Sequence, residues 1–192
     1  FIVDGTPVDC VYIGLNNLVN EPVDLVISGI NNGQNLADDI LYSGTFAAAM
    51  EARRMSMPSI SISIPERNVQ HYETAAYIAV QMSNALPLLM YRSLLAVLNV
   101  NVPDVPVADL RGFKATVLGE REGPLAPIET TSSGDSHRQF TLGLAGDFRR
   151  IKRKQPQDFM AVEEGYASIT PLSSKFEDSA YVSDVQAWLD DI

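Results

Sequence analysis

Apolar positions along the chain switch repeatedly between helical and strand periods. Val8, Val11, Tyr12, Leu15 and Leu18 recur at helical spacing. Thr6-Pro7-Val8-Asp9 suits the opening of that helix: Thr6 can cap, Pro7 fits the first helical position, and Asp9 is the acidic partner three residues on. A helix from about Pro7 to Val19 is predicted, ended by Asn20-Glu21-Pro22. Leu25-Val26-Ile27 is a continuous apolar run, which predicts a central strand covered on both faces by helices. A second helix is predicted from about Gly44 to Met55. After Pro58, the strict alternation of Ser59 to Ile64 predicts a strand with one buried face. A longer apolar helix follows between Tyr72 and Tyr91, which Pro87 should kink or restart. Ala96 to Val102 reads as another strand, closed by Pro103.

Strand and helix thus alternate through the first half with short links, the pattern of a parallel sheet wrapped by helices. The fold class expected is α/β, Rossmann-like, with a mostly parallel sheet and its polar loops gathered on one edge, where open α/β sheets bind ligands. The pattern changes after about Gly112. Lys114 to Gly119 reads as a strand, and the segment from about 113 to 160 is rich in Gly, Ser, Thr and charge. It predicts a projecting arm holding a long hairpin, with Gln139 to Leu144 as one strand. Tyr166 to Leu172 returns to strand pattern, and Val182 to Leu189, with Trp188, forms an amphipathic helix. Residues 1–192 are expected to form one domain. An arm with little core of its own needs a surface to lie against, and another copy of the chain is the commonest supplier. A homo-dimer or homo-tetramer is therefore expected, with the C-terminal arm used in oligomerisation.

Composition narrows the function classes. The 192 residues are 46% hydrophobic, and no apolar run reaches the roughly 18 residues of a membrane helix. A cytoplasmic protein with no membrane partner is expected. A formal net charge of −10 argues against coating nucleic acid, which needs a basic surface. One local exception is Arg149-Arg150-Ile151-Lys152-Arg153-Lys154, which holds five of the 14 basic residues. It reads as a solvated arm, an intersubunit contact, or an electrostatic funnel for an anionic substrate. The single Cys10 forms no intramolecular disulfide, and its apolar neighbours Val11 and Tyr12 predict a buried, structural thiol.

The candidate chemistry gathers between Asp24 and Glu51, where strand, polar turn and helix start meet. Amides at a helix start are unpaired and carry about half a positive charge, so they suit a phosphate. Ser43 is placed to cap, Gly44 lets an anion approach the backbone, and Thr45 completes the start; capping alone would explain the same residues. Gly33 and Asn35 extend the same turn. Asn31 at the strand's mouth is either turn punctuation or an oxygen ligand for a hard cation. Asp38 and Asp39 are adjacent loop carboxylates, better suited to solvent or to a helix dipole than to one shared ion. His71 and His137 stand apart, and neither a Gly-Lys-Ser/Thr phosphate loop nor a Gly-x-Ser-x-Gly elbow occurs.

Five ordered stretches carry a family resemblance: Gly5 to Val11, Ser28 to Leu36, Tyr42 to Thr45 with Ala47 to Glu51, Asn99 to Pro103, and Glu164-Gly165-Tyr166 with Ser168 to Leu172. Together they resemble the stationary-phase survival protein SurE family of metal-dependent 5'-nucleotidases. The resemblance implies hydrolysis of nucleoside 5'-monophosphates, and often 3'-monophosphates, with a divalent cation such as Mg or Mn. It implies oligomers built through exchanged C-terminal segments. By motif position Asn31 matches the family's metal-ligand Asn; Ser43, Gly44 and Thr45 match its phosphate-facing helix start, and Asn35 a polar residue beside it. Ala37 and Ala52 stand where Gly is usual, and Phe46 where Val is. The resemblance also implies that the chain is entered mid-strand at Phe1-Ile2-Val3. The family's opening strand, whose Asp pair supplies two metal ligands, and a later Ser ligand would then precede it, leaving the catalytic residues unknown. Two expectations follow: a metal-dependent nucleotide phosphatase, or a catalytically incompetent body that only binds phosphate and oligomerises.

Overall fold

The computed structural model describes residues 1–85, 96–130, 139–141, 146–173 and 181–190. Pro87, His137 and the stretch 142–144 lie outside them. Helix α1 (Pro7–Ile13) starts as its sequence dictates: the Thr6 hydroxyl accepts the Asp9 N–H, and the Asp9 carboxylate accepts the Thr6 N–H in return. Gly14–Leu18 continues it as one π-helical turn, so the helical stretch ends where expected. Its amphipathic face buries little. Tyr12 is exposed, and so is Cys10, against the expectation of a buried thiol. The reason is that α1 lies over α2 rather than on the sheet, so it is an outer layer with one neighbour.

The remaining elements are β1 (Val26–Asn32), a 3₁₀ segment at Ala37–Tyr42, α2 (Gly44–Arg54), β2 (Ser59–Ile64), α3 (Tyr72–Asn84), β3 (Val97–Asn101), a short 3₁₀ turn at Val107–Asp109, β4 (Phe113–Ala115), β5 (Ile128–Thr130), β6 (Gln139–Thr141), α4 (Asp158–Glu163), β7 (Ala167–Leu172) and α5 (Val182–Asp190). Five strands make one sheet in the order β1-β2-β3-β7-β4. β1, β2 and β3 run parallel, β7 is antiparallel to β3, and β4 is parallel to β7. The expected α/β fold with a mostly parallel sheet between helices is therefore present. The place of β1 differs from expectation: among the described residues it is an edge strand, and Ile27 is partly exposed. A continuous apolar run marks burial on two faces but says nothing of what lies beside the strand.

β2 also departs from its pattern, because all six of its residues are buried rather than one face of them. Register explains this. Ile60, Ile62 and Ile64 share a face with Leu98, Val100 and Val102, and α3 covers that face with Ala75 and Ile78. The opposite face carries Ser59, Ser61 and Ser63 beside Val97, Asn99 and Asn101, continued on β7 by Thr170 and Ser168. α2 covers the Val97 end of it through Ala49 and Met50. The alanines of α2 allow that close approach. Towards the carboxyl ends of the strands the same face is polar, and the loop after β1 lies down on it.

β5 and β6 pair antiparallel as the expected hairpin, and their described side chains are exposed. The two legs of the arm are joined at its base by Glu122 N–H to Asp147 O and Arg149 N–H to Glu120 O. The basic cluster is partly neutralised within the chain: Arg150 pairs with Glu163, and Arg149 and Arg153 pair with Glu120. Among the described residues no helix is long and apolar enough to cross a membrane.

Candidate active site

β1 leads into α2, and α2 returns to the parallel strand β2. The start of α2 therefore stands at the carboxyl edge of the sheet, on the side where β1 ends. Within β1, Gly29 adopts φ +133, and a Cβ there would meet the Ile62 carbonyl at 2.4 Å. Only glycine fits. The pairing advances from Ser28↔Ser61 to Asn31↔Ser63, so β1 carries one extra residue at this bulge, a device that re-aims the following side chain. That side chain is Asn31. Its Nδ2 donates to the Gly33 carbonyl at 3.0 Å, which leaves Oδ1 without a donor among the described residues.

The loop after Asn31 is held from below. Gly33 N–H donates to the Ile64 carbonyl, so the loop begins tied to β2. Asn35 is only 4% exposed. Its N–H donates to Asn101 Oδ1 at 3.0 Å, its Nδ2 to Ser63 Oγ at 2.5 Å, and its carbonyl accepts from both Asn99 and Asn101. Ser61 in turn donates to Asn99 Oδ1. The alternation of Ser on β2 and Asn on β3 thus makes a buried polar bed, and the loop backbone is its partner. Asn35 is committed to this bed.

Asp158 closes the next turn. It is fully buried at the start of α4, and its carboxylate accepts the N–H groups of Ala37, Gly119 and Phe159 at 2.8–2.9 Å. Burial pushes its carboxyl above the usual carboxylate range, and the three amides pull the other way. Ala37 adopts φ 50, a left-handed conformation held by that bond and by complete burial. Asp39 is neither a solvent carboxylate nor half of a metal pair. It forms a two-pronged ion pair with Arg121, whose backbone N–H binds Asp38 and whose guanidinium lies 3.9 Å over the Phe148 ring. The arm's base thereby clamps the 3₁₀ segment that delivers Ser43.

Ser43 caps α2: its Oγ accepts the Phe46 N–H at 3.0 Å, and its carbonyl accepts the Ala47 N–H. Among the described residues the N–H groups of Gly44 and Thr45 are left as the unpaired donors of the helix start, and Gly44 is exposed. An added Cβ at Gly44 would stand 3.2 Å from Pro7 Cγ, since α1 packs close by. Sequence reading singled out Asn31, Asn35 and the helix start, and the structure turns Asn35 into the buried bed rather than towards the helix start. Sequence reading missed Ser63, Asn99, Asn101, Arg121 and Asp158, which support them. For Asn99 and Asn101 a signal existed, two polar residues on one face of a strand; for Arg121 and Asp158 the partners Asp39 and Ala37 lie 82 and 121 residues away in sequence.

The family resemblance implies a divalent cation at this edge. A hard divalent ion takes six or more oxygen ligands, or keeps waters around one or two carboxylates. Among the described residues no three His, Cys, Asp or Glu side chains converge, and Asn31 Oδ1 is one neutral oxygen. The described residues do not make a cation site by themselves.

A mostly parallel sheet with a polar loop and an open helix start at its carboxyl edge defines an α/β protein of the kind in which open sheets take ligands at that edge. The family model described as survival protein SurE matches residues 1–123, and the chain belongs to that family. It is 38% identical to the 5'-nucleotidase SurE of Methylococcus capsulatus, over 97% of this chain and 73% of that protein. It is 39% identical to the 5'/3'-nucleotidase SurE of Salmonella arizonae, over 98% of this chain and 72% of that protein. Among solved structures, the SurE protein from Aquifex aeolicus superposes with a TM-score of 0.78 at 30% identity, covering 97% of this chain and 74% of that one.

Proposed function

We propose that this chain hydrolyses nucleoside 5'-monophosphates, and 3'-monophosphates as well, to nucleoside and phosphate. The observation that carries this reading is the open start of α2 at the carboxyl edge of the sheet, beside relatives named 5'- and 5'/3'-nucleotidase. The Gly44 and Thr45 N–H groups and the Ser43 and Thr45 hydroxyls receive the phosphoryl oxygens, and Asn35 holds the adjoining loop in shape. As charge builds on those oxygens in the transition state, fixed donors are already aimed at them and need no rearrangement. A divalent cation, Mg or Mn, belongs to this reading, with Asn31 Oδ1 as one of its ligands. The described residues do not complete its ligand set.

The test is release of inorganic phosphate from 5'-AMP by the full chain, with and without manganese. Metal-stimulated release is expected, and activity indifferent to a chelator would overturn the metal-dependent reading. That no three His, Cys, Asp or Glu side chains converge among the described residues favours a second reading, a body that binds phosphate and oligomerises without turnover. Calorimetry separates the two: feeble manganese binding with no turnover supports the second, and tight binding removes it.

The oligomer is part of the proposal. α5 presents Val182, Val185, Trp188 and Leu189 to solvent, and the hairpin presents Ile128 and Phe140. Apolar surface at this density on two outlying elements fits burial against a second copy.

A further inference from the structure

A cleft of about 370 Å³ opens at the carboxyl ends of β2 and β3, lined by the loop after β1 and bounded on another side by α4. We propose that it is the nucleoside subsite, reading the sugar hydroxyls through Glu66. The inference rests on the nucleotide-hydrolysis reading above and assigns the part of the substrate that the helix start does not hold.

Three observations carry it. The first is continuity: Gln34 and Leu36 line the cleft and flank Asn35 in the loop that begins at Asn31. A ligand spanning both places lies along one loop. The second is charge. The cleft is lined by Glu66, Asp104 and Glu163 and by no Lys or Arg. An anion is repelled there, so the phosphate stays at the helix start and a neutral group enters the cleft. The third is which polar groups remain unused. Both Asp104 oxygens accept N–H groups of Gln70 and His71, and Glu163 is paired with Arg150. Neither Gln34 nor Glu66 has a side-chain partner among the described residues. An ionised carboxylate only accepts hydrogen bonds, which matches a donor such as a ribose hydroxyl, while an amide both donates and accepts, which matches a base edge. Leu36, Phe159 and Val162 supply the apolar wall on which a base can rest, and the volume lies within the range of small-molecule pockets.

The experiment compares Glu66→Gln with the unmodified full chain in two assays. In the first, kcat/KM is measured for 5'-AMP, 2',3'-dideoxy-AMP and p-nitrophenyl phosphate. The expected result is that 5'-AMP is favoured over the dideoxy substrate by about tenfold, and that Glu66→Gln removes most of this preference through KM. In the second, binding of adenosine alone is followed by calorimetry, which needs no turnover. Adenosine is expected to bind the unmodified chain and to bind Glu66→Gln about tenfold more weakly. Equal effects of the variant on all three substrates, or adenosine binding that ignores the substitution, would overturn the subsite. If no substrate is hydrolysed but adenosine binding depends on Glu66, the cleft stands and the hydrolysis reading falls.

Discussion

At the scale of single residues, the site is made by positions whose neighbours leave them one role. Ser43 illustrates this, because its Oγ serves both as cap and as proposed phosphate donor. Glycine at an N-cap costs only a few tenths of a kcal/mol where alanine costs about 1 kcal/mol. Ser43→Gly is therefore expected to melt close to the unmodified protein, and Ser43→Ala slightly lower, while both lose about tenfold or more in kcat/KM on 5'-AMP. If Ser43→Gly kept full activity, the hydroxyl would be only a cap. Asp158 makes a different prediction. Its raised pKa means the folded state holds this proton more tightly than the unfolded chain does. Its ionisation therefore works against folding as pH rises from the ordinary carboxyl value of 3.8 through the raised folded value, and below 3.8 the penalty is absent. Asp158→Asn should flatten that pH dependence in denaturant titrations across the window. It should also lower stability at neutral pH by about 1–3 kcal/mol, because an amide nitrogen then faces amide donors.

Between elements, the fold is joined by polar contacts that cross long stretches of chain. The loop after β1 rests on Ser63, Asn99 and Asn101, the 3₁₀ segment is clamped by Arg121, and Asp158 binds both the loop and the strand region at Gly119. The Arg121–Asp39 pair is largely withdrawn from water, with side chains 11% and 25% exposed. Arg121→Ala strands a half-buried carboxylate, and a loss of about 3 kcal/mol is expected by urea unfolding. The double variant Arg121→Leu with Asp39→Leu should recover part of that loss, since an ion pair replaced as a unit leaves no orphan charge. The elements themselves were legible in the chain: α1, β1, α2, β2, β3, β7 and α5 all fall within a few residues of the pattern that announces them. α4 and the 3₁₀ segment were not, because each is six residues long and is fixed by Asp158 and Arg121 rather than by local periodicity.

For the molecule as a whole, the exposed apolar faces set the expectation. α5 lays four large apolar side chains in solvent, Trp188 among them at 63% exposure. Light scattering after size exclusion is expected to give a dimer or tetramer. A charge in the middle of that face, Trp188→Glu, should shift the mass towards the monomer and expose the protein to aggregation less, not more. A monomeric mass for the unmodified chain would remove the oligomer from the proposal.

The sequence by itself determined the alternation of helix and strand, the α/β class, the cap at Ser43 and the position of Asn31 at a strand end, because periodicity, capping and turn chemistry are local properties. Only the tertiary structure decided that β1 lies at the sheet's edge, that the serines of β2 are buried with the asparagines of β3 beneath the Asn35 loop, and that Asp39 belongs to Arg121. Those outcomes depend on which strand lies beside which. A polar residue's cost or use in the interior is fixed by the partner it meets there, and the partner is chosen by the fold.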